Sequence, residues 1–510
     1  MKRALISVYD KRGIIEFAEK LGQMDWEIIA TGGTYRLLLE NGIKAREIDE
    51  ITKFPEILDG RVKTLNPRIH GGILFRRDKE DHKRVIEEMG IFPIHMVVNN
   101  LYPFEETVTK SGVKMEEAIE NIDIGGPSMI RAAAKNFQDV TVVIDPSDYN
   151  QVLLELRQEG DTRPETRLEL ARKVFNYTAY YDALIAQYFN ELCQESFPDY
   201  LTLPYRKKDQ LRYGENPHQE AAFYMDYSQT EGTIAGAEKL HGKELSYNNI
   251  NDGNGAIAII KEFDEPAAVA VKHGNPCGAG VGKSIVEAFE KAYASDTESI
   301  FGGIVALNRE VTKDLAERLS KIFLEIIIAP SFSTEALEIL MEKKNVRLLQ
   351  IPEISDSSYT KPMAKQVEGG MLLQDRNSLL LNDDMEIATG RFPEEEELED
   401  MVFAWKIAKH ISSNGVVIAK DGATLGIGLG EVNRFWAVEK AIERAGDKVK
   451  GSVLASDGFF PFKDSIEALA DAGIAAVIQP GGSVRDAEVV KEADLNKMTM
   501  VFTGIRHFRH

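Results

Sequence analysis

The chain has 510 residues, of which 43% are hydrophobic and 28% charged, a composition that is usual for folded globular proteins and excludes extensive disorder. Its formal charge of −21 at pH 7 argues against a nucleic-acid-binding protein, because such proteins present basic surfaces to the phosphate backbone. We expect about three or four domain-sized units at roughly 100–200 residues each. The simplest expectation is a cytosolic enzyme.

Cysteine content and hydropathy restrict the class of protein further. Cys193 and Cys277 are the only cysteines, so a disulfide framework or a cysteine-rich zinc site is excluded. The first apolar run is too short for the core of a signal peptide, and no apolar stretch approaches the ~20 residues of a membrane span. We therefore expect a cytoplasmic protein without a membrane segment.

Short apolar strands alternate with amphipathic helices over the first 200 residues. The pattern starts with a strand at residues 4–8 and a helix at 13–21, and a long helical pattern at 165–192 ends it. This alternation predicts an α/β fold with a largely parallel sheet. Pro198 and Pro204 interrupt the periodicity, so we place the first domain at residues 1–198.

The second part, residues 199–510, also alternates strand and helix. It is too long for one α/β layer, so we expect two subdomains that divide around residues 360–400. An acidic run lies there, residues 394–397 followed by Glu399 and Asp400. We interpret this run as a solvated helix face or a surface turn.

Three glycine-rich or basic clusters in the first domain indicate an anion site. Thr-Gly-Gly-Thr at residues 31–34 follows an apolar strand, Gly-Gly-Pro-Ser opens the helix within residues 123–136, and residues 61–72 combine basic side chains with two glycines. Main-chain N–H groups at helix starts bind phosphate, although tight turns use the same residues. Together the clusters predict one site for an anionic small molecule.

The strand at residues 267–272 ends in adjacent Lys272 and His273, in a loop that contains Gly274 and Pro276. Lysine can bind phosphate or a developing oxyanion, and neutral histidine can take a proton near pH 7. We predict a catalytic pair here; the alternative is two surface residues.

Three further segments of the second part resemble known binding motifs, but each departs from the pattern that the motif requires. Cys277 stands where a P-loop requires glycine, and Gly280 stands where a zinc deaminase has its second cysteine. The stretch at residues 426–430 lacks the G-x-G-x-x-G spacing. An NAD-binding enzyme and a metabolite-sensing scaffold without catalysis remain as alternatives.

In order and over essentially the whole chain, these segments resemble the bifunctional AICAR transformylase/IMP cyclohydrolase family. The resemblance rests on residues 63–65, 100–104, 123–136, 212–219, 272–278, 301–306 and 456–462. It implies formyl transfer from 10-formyltetrahydrofolate to the 5-amino group of AICAR, then dehydrative closure of FAICAR to IMP. It also implies a methylglyoxal-synthase-like first domain with a parallel sheet and two cytidine-deaminase-like subdomains in the transformylase part, residues 199–510.

For formyl transfer, the resemblance makes His273 the proton acceptor from the AICAR amine and Lys272 the group that stabilises the developing charge. The implied AICAR contacts are Arg212, Tyr213, Gly302, Glu325, Asn414, Arg434 and Arg506. The implied folate contacts are Phe435, Phe459, Asp464, Ser483 and Val484.

For the cyclohydrolase, the resemblance makes Lys135 the acid/base group, with Lys63, Tyr102 and Asp123 near the chemistry. The implied contacts to FAICAR and IMP are Tyr9, Asp10, Lys11, Thr31, Gly32, Gly33, Thr34, Arg61, Val62, Thr64, Asn99, Asn100 and Ile124. No external nucleophile is needed, because the carboxamide nitrogen of the substrate attacks its own formyl carbon. Positioning and charge stabilisation can then supply most of the rate.

The resemblance further implies a homodimer with transformylase sites between subunits, small-molecule substrates only, and no nucleic acid or membrane partner. It implies no catalytic metal and leaves a structural monovalent cation open. The sequence departs from the family pattern at Asn66, Leu429, Glu431, Asn433 and Lys463.

Overall fold

The computed structural model describes residues 1–110, 112–382 and 385–510, without the side chain of Asp59. The described chain forms two compact units, Met1–Tyr205 and Arg206–His510. Among the described residues, no helix is both long and apolar enough to cross a membrane.

The first unit is built on a five-stranded parallel sheet in the order β3-β2-β1-β4-β5. Its strands are β1 (Arg3–Val8), β2 (Glu27–Ala30), β3 (Arg46–Glu47), β4 (Met96–Asn100) and β5 (Thr141–Val143). Its helices are α1 (Ile14–Gln23), α2 (Gly32–Glu40), α3 (Ile48–Thr52), α4 (Pro67–Leu74), α5 (Glu80–Glu88), α6 (Phe104–Val108), α7 (Met115–Glu120), α8 (Gly125–Lys135), α9 (Tyr149–Glu159) and α10 (Pro164–Cys193). The near-continuous burial of β1 and β4 is what a parallel sheet covered by helices on both faces requires.

Strand β1 is the point at which the strand order of this sheet reverses. The chain adds β2 and β3 on one side of β1 and then returns to add β4 and β5 on the other. In open α/β sheets, ligands bind outside the carboxyl ends of the strands at such a point. The fold therefore places a crevice beyond Val8, Ala30 and Asn100.

The second unit contains a mixed sheet of twelve strands in the order β16-β21-β20-β19-β17-β18-β10-β9-β11-β12-β13-β8, and two separate two-stranded sheets, β6-β7 and β14-β15. The strands are β6 (Tyr205–Leu211), β7 (Ala221–Asp226), β8 (Glu238–His241), β9 (Ala267–Lys272), β10 (Asn275–Val281), β11 (Ile304–Leu307), β12 (Ile326–Ala329), β13 (Arg347–Gln350), β14 (Met363–Val367), β15 (Gly370–Gln374), β16 (Glu386–Ile387), β17 (Val416–Lys420), β18 (Ala423–Gly428), β19 (Val453–Ser456), β20 (Ala476–Gln479) and β21 (Thr499–Phe502). The helices are α11 (Tyr247–Ile260), α12 (Ile285–Ser295), α13 (Lys313–Leu319), α14 (Thr334–Met341), α15 (Glu395–Ala408), α16 (Arg434–Ala445), α17 (Asp464–Ala472) and α18 (Asp486–Leu495). The α/β class predicted for the chain is confirmed.

The twelve-stranded sheet is an internal duplication. In one half, the hairpin β9-β10 continues through antiparallel β11 to parallel β12 and β13. In the other half, the hairpin β17-β18 continues in the same way through β19 to β20 and β21. The halves meet where β10 pairs with β18, at Gly280 and Ala423. Helices α11 and α15 precede the two hairpins and contribute to one shared core.

Glycines explain how closely helices lie on the two hairpins. On the first hairpin, a Cβ would approach the backbone of α12 to 2.2 Å at Gly278 and to 2.6 Å at Gly280. On the second hairpin, a Cβ would approach the backbone of α16 to 2.1 Å at Gly426 and to 1.9 Å at Gly428. These distances exclude any side chain. The glycines at residues 426–428 therefore serve helix-to-strand packing, which leaves the dinucleotide interpretation of that stretch without support.

The acidic run of α15 is not simply a solvated helix face. Glu394 caps the helix with Glu397, and Asp400 is buried. Both oxygens of Asp400 accept hydrogen bonds, from the N–H groups of Asp421 and Gly422 at 2.8 Å each. Asp400 thus holds the turn between β17 and β18, which corrects the interpretation of this residue as surface charge.

Candidate active sites

The residues predicted to bind nucleotide in the first unit follow the carboxyl ends of β1, β2 and β4. Asn100 links two of these ends, since its Oδ1 accepts from the N–H groups of Tyr9 at 2.6 Å and Asp10 at 2.9 Å. Asn99 adds a bond from its Nδ2 to Ser7 O at 2.6 Å. Asn99 and Asn100 therefore fix the main chain that leaves β1.

The Thr-Gly-Gly-Thr segment forms the start of α2, as predicted. Lys11 Nζ donates to Thr34 Oγ1 at 2.9 Å, and burial lowers the pKa of Lys11. A Cβ on Gly32 would lie 3.0 Å from Lys63 Nζ, so Lys63 faces this helix start. Free N–H groups of a helix start and two lysines are the groups that bind a phosphate.

Asp123 and Tyr102 form the polar wall beside this crevice. Asp123 Oδ1 accepts from Gly126 N at 2.8 Å, and burial raises the pKa of Asp123. Burial also raises the pKa of Tyr102, and the charge of Asp123 adds to that effect. The rings of Tyr9 and Tyr102 meet edge to face, with centroids 5.8 Å apart. Thr64 lies at the same helix start, because a Cβ on Gly125 would come within 2.6 Å of its Oγ1.

The remaining predicted residues of the first unit lie around this wall. Lys63 pairs with Glu56, and Arg61 pairs with Glu120. Val62 forms an isolated β-bridge with Ile57, and the side chain of Ile124 is exposed.

Lys135 is not brought to this cluster in the described structure. It is the last residue of α8, and at 1.5 Å rise per residue it lies about 15 Å along the helix from Gly125. Its side chain is exposed. The predicted acid/base role of Lys135 therefore lacks a contact with Asp123 or Tyr102 in this structure.

In the second unit, Lys272 and His273 lie at the turn between β9 and β10. Lys272 pairs with Asn275, and the two residues between them both have positive φ, 54° at His273 and 71° at Gly274. This is the pattern of a tight two-residue hairpin turn; Pro276, which the sequence analysis placed in the loop, belongs to β10 and pairs with Val271. Lys272 Nζ donates to Phe301 O at 2.8 Å, and the side chain of His273 is exposed.

Predicted AICAR contacts surround this turn. Gly302 follows Phe301 and has φ 73°. Glu325 Oε2 accepts from Asn249 Nδ2 at 2.8 Å, and Glu325 N donates to Gly303 O at 2.9 Å. The loop after Arg212 and Tyr213 touches α11, because Asn248 Nδ2 donates to Glu215 O at 3.3 Å.

A second group of predicted contacts centres on Arg434. Its guanidinium pairs with Asp457, donates to Ser456 Oγ at 2.9 Å and donates to Asn414 Oδ1 at 2.8 Å. Asp457 Oδ2 accepts from Gly415 N at 3.1 Å. Asp457 was not among the sequence-predicted residues, although it lies inside the motif at residues 456–462.

An aromatic cavity of about 400 Å³ adjoins Arg434. Its lining includes five predicted residues, namely Asn414, Arg434, Phe435, Phe459 and Asp464. It also includes Phe462 and Phe508, which the sequence reasoning did not assign to a site. Flat aromatic walls with a few polar groups suit a planar heterocycle.

The other predicted residues lie at the rim of this cavity. Arg485 stacks on Phe462, 4.7 Å from the ring centroid, which places the preceding Ser483 and Val484 nearby. Arg506 stacks on Phe508 at 4.5 Å. The C-terminal segment is docked rather than frayed, since His507 N donates to Asp457 O at 3.0 Å.

Fold and sites together define a two-unit α/β enzyme, with an anion-binding crevice in one unit and a lysine-histidine turn and an aromatic cavity in the other. The sequence model of the AICARFT/IMPCHase bienzyme family matches residues 133–444, and that of the MGS-like domain matches residues 13–128. The chain belongs to the AICARFT/IMPCHase bienzyme family, which confirms the resemblance seen in the motifs.

Curated relatives match over their whole length. The chain is 56% identical to the bifunctional purine biosynthesis protein PurH of Thermoanaerobacter sp. (strain X514) and 55% identical to that of Bacillus subtilis (strain 168), over 100% of each chain. Among solved structures, the crystal structure of ForH has 40% sequence identity to this chain. The match covers 37% of this chain and 97% of the ForH chain, with a TM-score of 0.34. Both enzymatic activities of the family, transformylase and cyclohydrolase, thus belong to this chain.

Proposed function

We propose that the second unit, within residues 199–510, transfers the formyl group of 10-formyltetrahydrofolate to AICAR, and that the first unit, residues 1–198, closes the product FAICAR to IMP. The observation that carries the proposal is the tight turn that presents Lys272 and His273 side by side, next to Gly302. A general base and a cation at one point are what formyl transfer to an amine requires.

In the proposed transfer, the 5-amino nitrogen of AICAR attacks the formyl carbon and His273 takes the proton from that nitrogen. Lys272 stabilises the negative charge that develops on the formyl oxygen. When the tetrahedral intermediate collapses, N10 of tetrahydrofolate leaves and takes up a proton. Arg212, Tyr213, Gly302 and Glu325 would hold AICAR on one side, and Asn414, Arg434 and Arg506 on the other.

The aromatic cavity is the proposed folate site. Phe435 and Phe459 offer ring faces for the pterin, and Asp464, Ser483 and Val484 supply polar and apolar contacts at the rim. The reduced folate is a co-substrate, and the proposed steps use side chains without a catalytic metal. The shared strand order of the two halves supports two related subdomains, and their likeness to cytidine deaminases stays a prediction from the resemblance.

In the proposed ring closure, the carboxamide nitrogen of FAICAR attacks its own formyl carbon, and loss of water follows. The helix starts at Gly32 and Gly125 with Lys11 would hold the phosphate and orient the substrate. Lys63, Tyr102 and Asp123 line the polar wall and are the proposed catalytic groups. The acid/base role of Lys135 stays a prediction that needs a test of its own.

We further propose a homodimeric, cytoplasmic enzyme whose partner subunit completes the transformylase site. Val432 and Val484, at the cavity and its rim, are 87% and 102% exposed. A partner subunit seated at this rim would cover both side chains. The acidic surface argues against nucleic acid as a partner.

The decisive experiment measures both activities of one purified variant, His273→Ala. We expect loss of formyl transfer from 10-formyltetrahydrofolate to AICAR, with near-normal conversion of supplied FAICAR to IMP. Equal loss of both activities in a folded variant would contradict the assignment of the reactions to separate sites. Wild-type enzyme should convert AICAR and 10-formyltetrahydrofolate to IMP and tetrahydrofolate without added metal.

A further inference from the structure

The turn that carries Lys272 and His273 is held at both main-chain polar atoms of His273. Its N–H donates to Asp252 Oδ2 at 3.1 Å, and its carbonyl oxygen accepts from Asn275 Nδ2 at 3.2 Å. The positive φ of His273 is unfavourable for a residue with a side chain. These two bonds therefore stabilise the conformation that presents the imidazole.

Asn275 also reaches the other half of the duplicated sheet. Its Oδ1 accepts from the N–H of Ser412 at 3.3 Å and from the Ser412 hydroxyl at 3.1 Å. Ser412 lies in the loop that continues to Asn414, a residue of the cavity wall. One amide group thus joins the His273 turn to the loop that lines the aromatic cavity.

The duplication shows what the turn itself requires. The turn between β17 and β18 also has two residues with positive φ, Asp421 and Gly422, and Asp400 on α15 holds their N–H groups. Asp252 on α11 is the counterpart of Asp400. The counterpart of Asn275 is Ala423, the first residue of β18. A turn of this kind is thus formed without an asparagine at that position.

We propose that Asn275 is a positioning residue for formyl transfer, which fixes His273 relative to the ligands bound at the Asn414 loop. This inference rests on the proposed function of His273. Without the bridge, the turn can shift relative to the cavity, and misplacement of a reacting group by about 1 Å costs about 100-fold in rate. Substrate binding is affected far less, because the groups assigned to AICAR and folate keep their own contacts.

The test is Asn275→Ala in the full-length enzyme. We expect kcat for formyl transfer to fall about 100-fold, with KM for AICAR and for 10-formyltetrahydrofolate close to wild type and FAICAR cyclisation unchanged. Ser412→Ala removes one of the two donors and should give a smaller loss, which Ser412→Thr restores. The double variant should be no slower than Asn275→Ala, because both changes remove the same bridge.

Two controls separate positioning from folding. Asp400→Asn weakens the counterpart turn and should lower thermal stability without lowering kcat. Asn345→Ala changes an exposed asparagine of the same unit and should change neither stability nor rate appreciably. If Asn275→Ala does not fold, the kcat of Ser412→Ala decides instead.

A wild-type kcat for Asn275→Ala, or a raised KM with unchanged kcat, would overturn the inference. His273→Ala, measured in parallel, keeps this failure distinct from failure of the proposed function. If His273→Ala still transfers the formyl group, the catalytic assignment is wrong. If His273→Ala is inactive and Asn275→Ala is fully active, only the positioning role of Asn275 is wrong.

Discussion

Arg434 and Asp457 form an ion pair that is almost completely removed from solvent. Arg434 begins α16 and Asp457 follows β19; their side chains are 5% and 0% exposed. The second nitrogen of the guanidinium bonds to Asn414, so the carboxylate of Asp457 orients Arg434 toward the predicted substrate-binding residue. Removing one partner of such a pair leaves a buried, unpaired charge.

We expect Asp457→Asn to lower the free energy of unfolding of the second unit by about 3–5 kcal/mol, the usual loss for a broken buried pair. The measurement is urea unfolding in a Trp26→Phe background, where Trp405 and Trp436 of the second unit supply the fluorescence.

The matched control for Asp457→Asn is Asp471→Asn, at an exposed position of α17. That change should stay within about 0.5 kcal/mol of wild type. If Asp457→Asn is as stable as the control, the pair does not stabilise the fold.

Two lysine variants test which lysine acts in ring closure. Lys63→Met removes the amine that faces the start of α2 and should lower kcat/KM for FAICAR about 100-fold, as loss of one charge-stabilising group does. Lys135→Met removes the predicted acid/base amine at the far end of α8 and should also lower the rate of ring closure; a rate close to wild type would contradict that role. The assay is IMP formation from supplied FAICAR, with formyl transfer as the internal control. A loss for Lys135→Met as large as that for Lys63→Met would support the acid/base role inferred from the resemblance.

Much of the fold could be predicted from local pattern, because apolar runs and helical periodicity are local. The strand before Lys272, the linker near Pro198 and the helix after Gly125 all follow from this periodicity. The order of the twelve strands could not be predicted from local pattern, since it depends on pairing between distant segments such as β10 and β18.

The residues of the candidate sites also fall into two groups, those that a local sequence pattern indicates and those that only the folded structure brings together. Lys272 and His273 stood out because adjacent lysine and histidine at the end of a buried strand are a local signal. Asn275 and Ser412 are 137 residues apart in sequence, and no spacing rule connects them. Asp400 looked like surface charge, because its neighbours in sequence are acidic and its partners in the β17-β18 turn lie in another segment.

The buried carboxyl of Asp123 should set the acidic limb of the pH profile for ring closure. Burial raises the pKa of Asp123 above its usual 3.8, so the ionised fraction starts to fall at a higher pH than for an exposed aspartate. If the ionised form takes part in the reaction, kcat decreases as the pH drops through this raised pKa. Asp123→Asn should lower the rate and remove this limb.

The pH profile of FAICAR cyclisation in Asp123→Asn is best compared with that of Asp25→Asn, which changes an exposed aspartate of the same unit. Asp25→Asn should keep the wild-type profile. An unchanged acidic limb in Asp123→Asn would mean that another group titrates there.

His507 should make the second unit sensitive to mild acid. Its side chain is fully buried, its Nδ1 meets Asn377 Nδ2 at 2.9 Å, and its ring packs on Trp405 with centroids 4.6 Å apart. Burial, with a smaller effect of the Lys409 charge, lowers the pKa of His507 from 6.5 to about 4. The folded state therefore favours neutral imidazole, and the unfolded chain takes up the proton first as the pH falls.

The stability due to neutral His507 is thus complete above pH 6.5 and is lost as the pH falls toward about 4. At 1.36 kcal/mol per unit of pKa difference, the loss between pH 6.5 and 5 is about 2 kcal/mol. The glutamine of His507→Gln cannot titrate. Between pH 6.5 and 5, the free energy of unfolding of this variant should therefore fall by about 2 kcal/mol less than that of wild type. Urea titrations at each pH measure both values. His218→Gln changes an exposed histidine and should follow wild type. Parallel curves for all three proteins would show that His507 does not control acid stability.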